Sequence, residues 1–119
     1  MRQATDLLVW GIIVHLIADW LFQTEWMASY KGSLRHPAAW VHSGIHTIGL
    51  FLVFAWPLAL LIGVTHLLID TRKPLLWWLK VIKQIPLDTH FPIVEIAVDQ
   101  VMHITVLAGA AIYAAWLSS

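Results

Sequence analysis

An all-α membrane bundle of four transmembrane helices, with a short interfacial helix between the third and the fourth, is the fold this sequence predicts. Three observations predict it. Hydrophobic residues make up 60% of the 119 residues and charged residues only 12%. The mean hydropathy is +0.76, and the apolar stretches are separated by Lys, Arg, Gly and Pro. The length suits one domain, residues 1–119. A net charge of zero gives no electrostatic reason for a nucleic-acid partner, and membrane lipids are the expected surroundings. With no cysteine, disulfides, thiolate nucleophiles and Cys-type zinc sites are excluded.

The first span is expected over residues 7–27, opened by Thr5 or Asp6 as a cap and broken near Lys31 and Gly32. It could pass for a signal peptide, but His15 and Asp19 lie inside it and no small-residue cleavage site follows, so it is expected to stay. Pro37 marks the start of a second span over 38–55. Pro57 suits the first turn of a third, over 57–70, which stops before Pro74. This segment gives roughly 21 Å of helix against a hydrocarbon core of about 30 Å. Reading 38–70 as one helix instead gives roughly 50 Å, too long without severe tilt. A hairpin at residues 55–57 is therefore preferred. The interfacial helix covers 75–84, with Leu75, Leu76, Leu79 and Ile82 on one face and Trp77, Lys80 and Gln84 on the other. The fourth span is 91–117.

Charge and tryptophan fix the orientation. Lys31, Arg35, Arg72, Lys73, Lys80 and Lys83 fall on one side of such a bundle, and only Arg2, offset by Asp6, on the other. The basic side is expected to be cytoplasmic, with both termini outside. Trp10, Trp56 and Trp116 then mark the outer interface, and Trp20, Trp26, Trp40, Trp77 and Trp78 the inner one.

Each span carries two potential metal ligands four residues apart: His15/Asp19, His42/His46, His66/Asp70 and Asp99/His103. That spacing puts both side chains on one helix face. Four antiparallel crossings bring all four pairs to one depth in the cytoplasmic half. A single His/Asp pair is more often interhelical hydrogen bonding; four at one depth point to a buried metal centre, because ionisable groups in hydrocarbon are costly. The donors exceed what one tetrahedral ion uses, which suggests two ions or one with a dense outer shell. Imidazole and carboxylate without thiolate suit a divalent Zn, Mn or Fe. His15, His42, His46, His66, Asp70 and His103 are the expected ligands. Asp19 or Asp99 would orient them or act as base, and Glu95, one turn before Asp99, is a further base or outer-shell carboxylate. Lys73, at helical spacing from His66 and Asp70, could hold a phosphate or snorkel to headgroups. Gln23 and Gln100 read as hydrogen-bond partners, and His36 and His90 as solvated loop residues. No HExxH, nucleophile elbow, Walker loop or dinucleotide fingerprint is present. Beyond the recurring ligand pairs there is no evident internal repeat.

The stretches HLIADWLFQ from His15 with Lys31 downstream, HSGIH from His42, HLLID from His66 with Lys73, and Asp99–Gln100 with His103 resemble an uncharacterised bacterial and phage membrane family, DUF3307. The resemblance runs over about residues 12–105. It implies an integral protein of the bacterial cytoplasmic (inner) membrane and no particular activity. A looser likeness, in pattern only, is to membrane-bound metal-dependent hydrolases with His/Asp pairs in their helices. The expected function is a metal-dependent hydrolase acting on a lipid or lipid-linked substrate at the cytoplasmic leaflet. The rivals are a metal-ion or proton carrier, for which a homo-oligomer would have to complete the outer path, and a non-enzymatic subunit whose pairs only fix the bundle.

Overall fold

The computed structural model describes residues 3–86 and 92–119. Arg2, His90 and the start of the fourth span at Phe91 lie outside the described residues. Those described are helical throughout, with no strand: α1 (Ala4–Leu21), α2 (Glu25–Tyr30), α3 (Pro37–Leu50), α4 (Trp56–Ile69), α5 (Lys73–Trp77, continued by a π-helical turn Trp78–Ile82) and α6 (Pro92–Leu117).

Two helices, α1 and α6, are long and apolar enough to cross a membrane. The segments expected as second and third spans are 14 residues each, roughly 21 Å by helical rise. They form the expected hairpin, with turn backbone over residues 51–54 and Pro57 in the first turn of α4. The hairpin packs tightly because it closes on small residues. Ser43 Oγ donates to the Gly63 carbonyl at 2.8 Å, and a Cβ built on Gly63 would meet Thr47 Oγ1 at 2.0 Å.

Three boundaries differ from expectation. The second segment ends at Leu50, not residue 55, which places the turn ahead of residues 55–57. The first helix ends at Leu21, not near residue 27. Its last turn, Ile17–Leu21, is π-helical, with Phe22 N–H donating to the Ile17 carbonyl at 3.1 Å. Thr24 then caps a new helix, its hydroxyl accepting from Met27 N–H at 3.3 Å. The expected interfacial helix begins earlier, at Lys73. Of its four apolar residues, Leu75 and Leu79 are buried and Leu76 and Ile82 are exposed.

The bundle has two cores along its length. At the end holding the N- and C-terminal residues, Leu7, Leu50, Phe54, Ala59, Ile62, Leu107, Ala110 and Ala111 make an apolar cluster. At the end bearing α2 and α5, a cluster of buried polar side chains lies beside Met27, Leu75 and Leu79. Around both, large apolar side chains stand exposed, among them Ile48, Leu52, Leu61, Val101 and Ile112. So broad an apolar surface exceeds what small soluble monomers usually expose.

Candidate metal centre

His15, His42, His46, His66 and His103 are all buried, His42 completely. They come from α1, α3, α4 and α6 and surround two carboxylates, Asp19 and Asp70, whose side chains are 6% and 3% exposed. Each helix contributes its pair because four residues make just over one turn, so both members face inward.

Asp19 sits in the π turn of α1. Its Oδ1 faces His46 Nε2 at 2.9 Å and His42 Nε2 at 3.1 Å. Its Oδ2 faces His15 Nε2 at 3.2 Å and accepts from the Gln100 amide at 3.3 Å. The Gln100 carbonyl oxygen in turn lies 3.0 Å from His15 Nε2. Asp70 ends α4. Its Oδ2 faces His66 Nε2 at 3.0 Å and His42 Nε2 at 3.3 Å, and its Oδ1 faces His103 Nε2 at 3.2 Å. His42 Nε2 therefore stands between the two carboxylates. Asp99 is more peripheral, 3.7 Å from His103 Nε2 and 3.3 Å from the Gln100 amide.

Hydrogen bonds alone do not satisfy this cluster. His42 Nδ1, His42 Nε2 and His66 Nε2 are buried and make no well-directed hydrogen bond, although carboxylate oxygens lie close to both Nε2 atoms. The proton count makes the same point. His66 Nδ1 lies 3.1 Å from His103 Nδ1, and each ring also presents Nε2 to Asp70. Those three contacts need three protons, and two neutral imidazoles carry two. With Asp70 ionised, one contact sets lone pair against lone pair unless one ring takes up a proton or a metal ion enters. A void of about 10 Å³ lies among His15, His46, His66 and His103, close to the room one water needs. Three groups of these side chains converge closely enough to hold a metal ion: Asp19 with His42, His46 and His66; His15 with His66 and His103; Asp70 with Asp99 and His103. Imidazole and carboxylate donors fit a divalent ion.

A cleft of about 290 Å³ opens onto the centre between α2, the α4–α5 turn and α6. Its charged lining is Lys31, Asp70, Arg72, Glu95 and Asp99. Lys31 Nζ donates to Gln23 Oε1 at 3.0 Å and lies 4.0 Å from Asp70 Oδ1. Arg72, in left-handed backbone at φ 68°, pairs with Glu95. Lys73 is exposed at the start of α5 and is not among the lining residues. The sequence-based site omitted Lys31 and Arg72. The signal for Lys31 was its place after the Thr24-capped helix, which turns the chain back toward the bundle. His36 stands apart, accepting from Ala38 N–H at the start of α3 and stacked on Tyr30 with ring centroids 4.2 Å apart.

A family model described as "Protein of unknown function (DUF3307)" matches residues 7–119. No curated protein and no solved structure matches the chain.

Proposed function

This chain belongs to the DUF3307 family, and we propose that it is a membrane-embedded metalloprotein hydrolysing a lipid-linked phosphoester at the cytoplasmic leaflet. The observation that carries this is the charged cleft leading from the surface to a buried set of imidazoles and carboxylates. A set of pairs that only fixes the bundle would need no charged cleft leading to it.

His15, Asp19, His42, His46, His66, Asp70 and His103 would hold the metal. Asp19, read from sequence as base or orienting group, has its side chain only 6% exposed and faces three imidazoles, so we assign it to the metal. A divalent ion here would supply water activated as a nucleophile and a charge to polarise the ester oxygen. Asp99 lies where the cleft meets the cluster and is 19% exposed, which suits a general base. The oxygen of water forms the bond to phosphorus, its proton passes to Asp99, and the ester P–O bond breaks. The departing alkoxide then takes that proton and leaves as the alcohol. Lys31 and Arg72 would hold the phosphate oxygens, the role first considered for Lys73.

In the membrane, α1 and α6 cross fully, and the α3–α4 hairpin stands beside them as a short second and third span. Its exposed Ile48, Leu52, Leu60, Leu61 and Val64 would face lipid. The basic residues around α2 and α5 would lie on the cytoplasmic side of an inner membrane, with both termini outside. Cysteines at Ser33 and Lys83 should then be labelled only from the cytoplasm, and one at Ser118 only from outside. Labelling of 33 and 83 from opposite sides would dismantle the arrangement.

The activity is tested with purified protein, a divalent metal and a synthetic lipid phosphoester. Turnover is expected, and Asp99→Asn should lose it while keeping metal content and thermal stability. Metal-dependent flux across proteoliposomes, without hydrolysis and abolished by His66→Ala, would overturn the enzyme in favour of a carrier.

A further inference from the structure

The chain repeats its own plan. A long helix ending in His-x3-Asp (α1) is followed by a short helix (α2) and then a helix with two potential ligands four residues apart near its start (α3). The same order returns in α4, α5 and α6. The packing repeats as well: α1 lies against α6 as α4 lies against α3. This correspondence pairs His15 with His66, Asp19 with Asp70, and His46 with His103.

The carboxylate contacts of the two halves match atom for atom. In the first, the helix's own His15 faces Asp19 Oδ2 at 3.2 Å, and His46 faces Asp19 Oδ1 at 2.9 Å. In the second, the helix's own His66 faces Asp70 Oδ2 at 3.0 Å, and His103 faces Asp70 Oδ1 at 3.2 Å. The rings of each half are similarly spaced, His15–His46 centroids at 5.0 Å and His66–His103 at 4.3 Å. Each half is thus a two-His, one-carboxylate set, a donor combination suited to a divalent metal with positions left open.

Resting on the metal-centre reading above, we propose that the centre is dinuclear, with one divalent ion in the His15–Asp19–His46 set and a second in the His66–Asp70–His103 set. His42 Nε2, 3.1 Å from Asp19 and 3.3 Å from Asp70, holds the two carboxylates beside each other and lacks any directed hydrogen bond of its own. The two ions therefore sit as neighbours, the arrangement that lets a pair of metals clamp both the attacking and the leaving oxygen of a phosphoester.

The halves differ at two corresponding positions, and these differences make the ions unequal. His42 corresponds to Asp99, and Ser43 to Gln100. Gln100 closes the first half by reaching across to His15 and Asp19. Ser43 instead turns to the Gly63 carbonyl, and the second half opens through Asp70 and Asp99 to the cleft. The Asp70 ion is the exchangeable, substrate-facing one; the Asp19 ion is enclosed.

Metal-stripped protein in detergent, titrated with Mn²⁺ and followed by calorimetry and electron paramagnetic resonance, tests this. Wild type should take two ions per chain and give an exchange-coupled spectrum. Asp19→Asn and Asp70→Asn should each keep one ion with an isolated Mn²⁺ signal, and a chelator should empty Asp19→Asn several-fold faster than Asp70→Asn. If these variants fail to fold, His46→Gln and His103→Gln remove one ligand from each half for the same comparison. One ion in wild type, lost in both variants, overturns the dinuclear centre and leaves a metal centre standing. Equal chelation rates overturn the inequality of the ions. No Mn²⁺, Zn²⁺ or Fe²⁺ bound by folded wild type overturns the metal centre itself.

Discussion

Helices α1, α3, α4 and α6 are held together in two different ways at their two ends. Toward the chain termini they meet through Leu7, Leu50, Phe54, Ile62 and Leu107, side chains whose fit depends on shape. Toward α2 and α5 they meet through five imidazoles and two carboxylates, whose fit depends on protons and charge. The apolar end is complete as built. The polar end leaves His42 Nδ1, His42 Nε2 and His66 Nε2 without a directed hydrogen bond. In lipid the contrast sharpens, because apolar side chains gain little by leaving the bilayer for the protein interior, and helix association rests on close packing and polar contacts. The difference also bears on function. A path for ions within one chain would need polar groups at both ends, and one of these ends is apolar.

The comparison breaks most visibly at His42 and His46. Replacing both with alanine should cost the His15–Asp19–His46 ion and take the retained metal from about two equivalents to about one; elemental analysis after chelator-free purification reads this. His36→Ala, outside the centre, should leave metal content unchanged. At the other end, Leu50→Ala should cost about 2–5 kcal/mol of stability, as large-to-small core changes do, while folded chains keep their full metal content. Loss of metal in Leu50→Ala would mean the two ends are not separable. A smaller effect is expected between the ends. Gly63→Ala drives a methyl group into Thr47, whose Oγ1, Cβ and Cγ2 would stand 2.0, 3.2 and 3.3 Å away. Rotation of a β-branched side chain cannot clear all three. We expect a loss of about 1–3 kcal/mol, typical of overpacking, seen as a lower midpoint of thermal unfolding. The smallest stability effect belongs to Arg72→Ala. Its exposed pair with Glu95 should contribute less than about 1 kcal/mol, yet hydrolysis of a phosphoester should fall markedly, seen as a raised KM. Unchanged KM would remove Arg72 from the substrate site.

The polar end was the more legible from sequence, because ionisable residues in apolar helices stand out and a four-residue spacing has one geometric meaning. His15, Asp19, His42, His46, His66, Asp70 and His103 meet as their spacing implies. Less legible was how the helices end. Apolar residues continue through Trp20, Leu21 and Phe22, so periodicity alone carries the first helix past Leu21, whereas the backbone widens into a π turn and restarts at Thr24. That error hid Lys31, whose approach to Asp70 depends on the restart. The short third segment was anticipated from Pro57. The repeat was not, because beyond the matching HLIAD and HLLID stretches its halves share spacing and order more than residues, His42 standing where Asp99 does.

The π turn at the end of α1 has a further consequence. Such a turn holds one residue more than the surrounding helix requires, so it is a natural place for the chain to gain or lose a residue. Removing Leu21 would let the helix close as an ordinary α-helix, leaving His15 and Asp19 on their shared face. Everything after it would be turned by about 100°, one residue's share of a helical turn, carrying Gln23 and Lys31 away from Asp70. The donor set and the cation beside it thus lie on opposite sides of a hinge in chain length. A single deletion there could change which anions reach the cleft without altering a ligand.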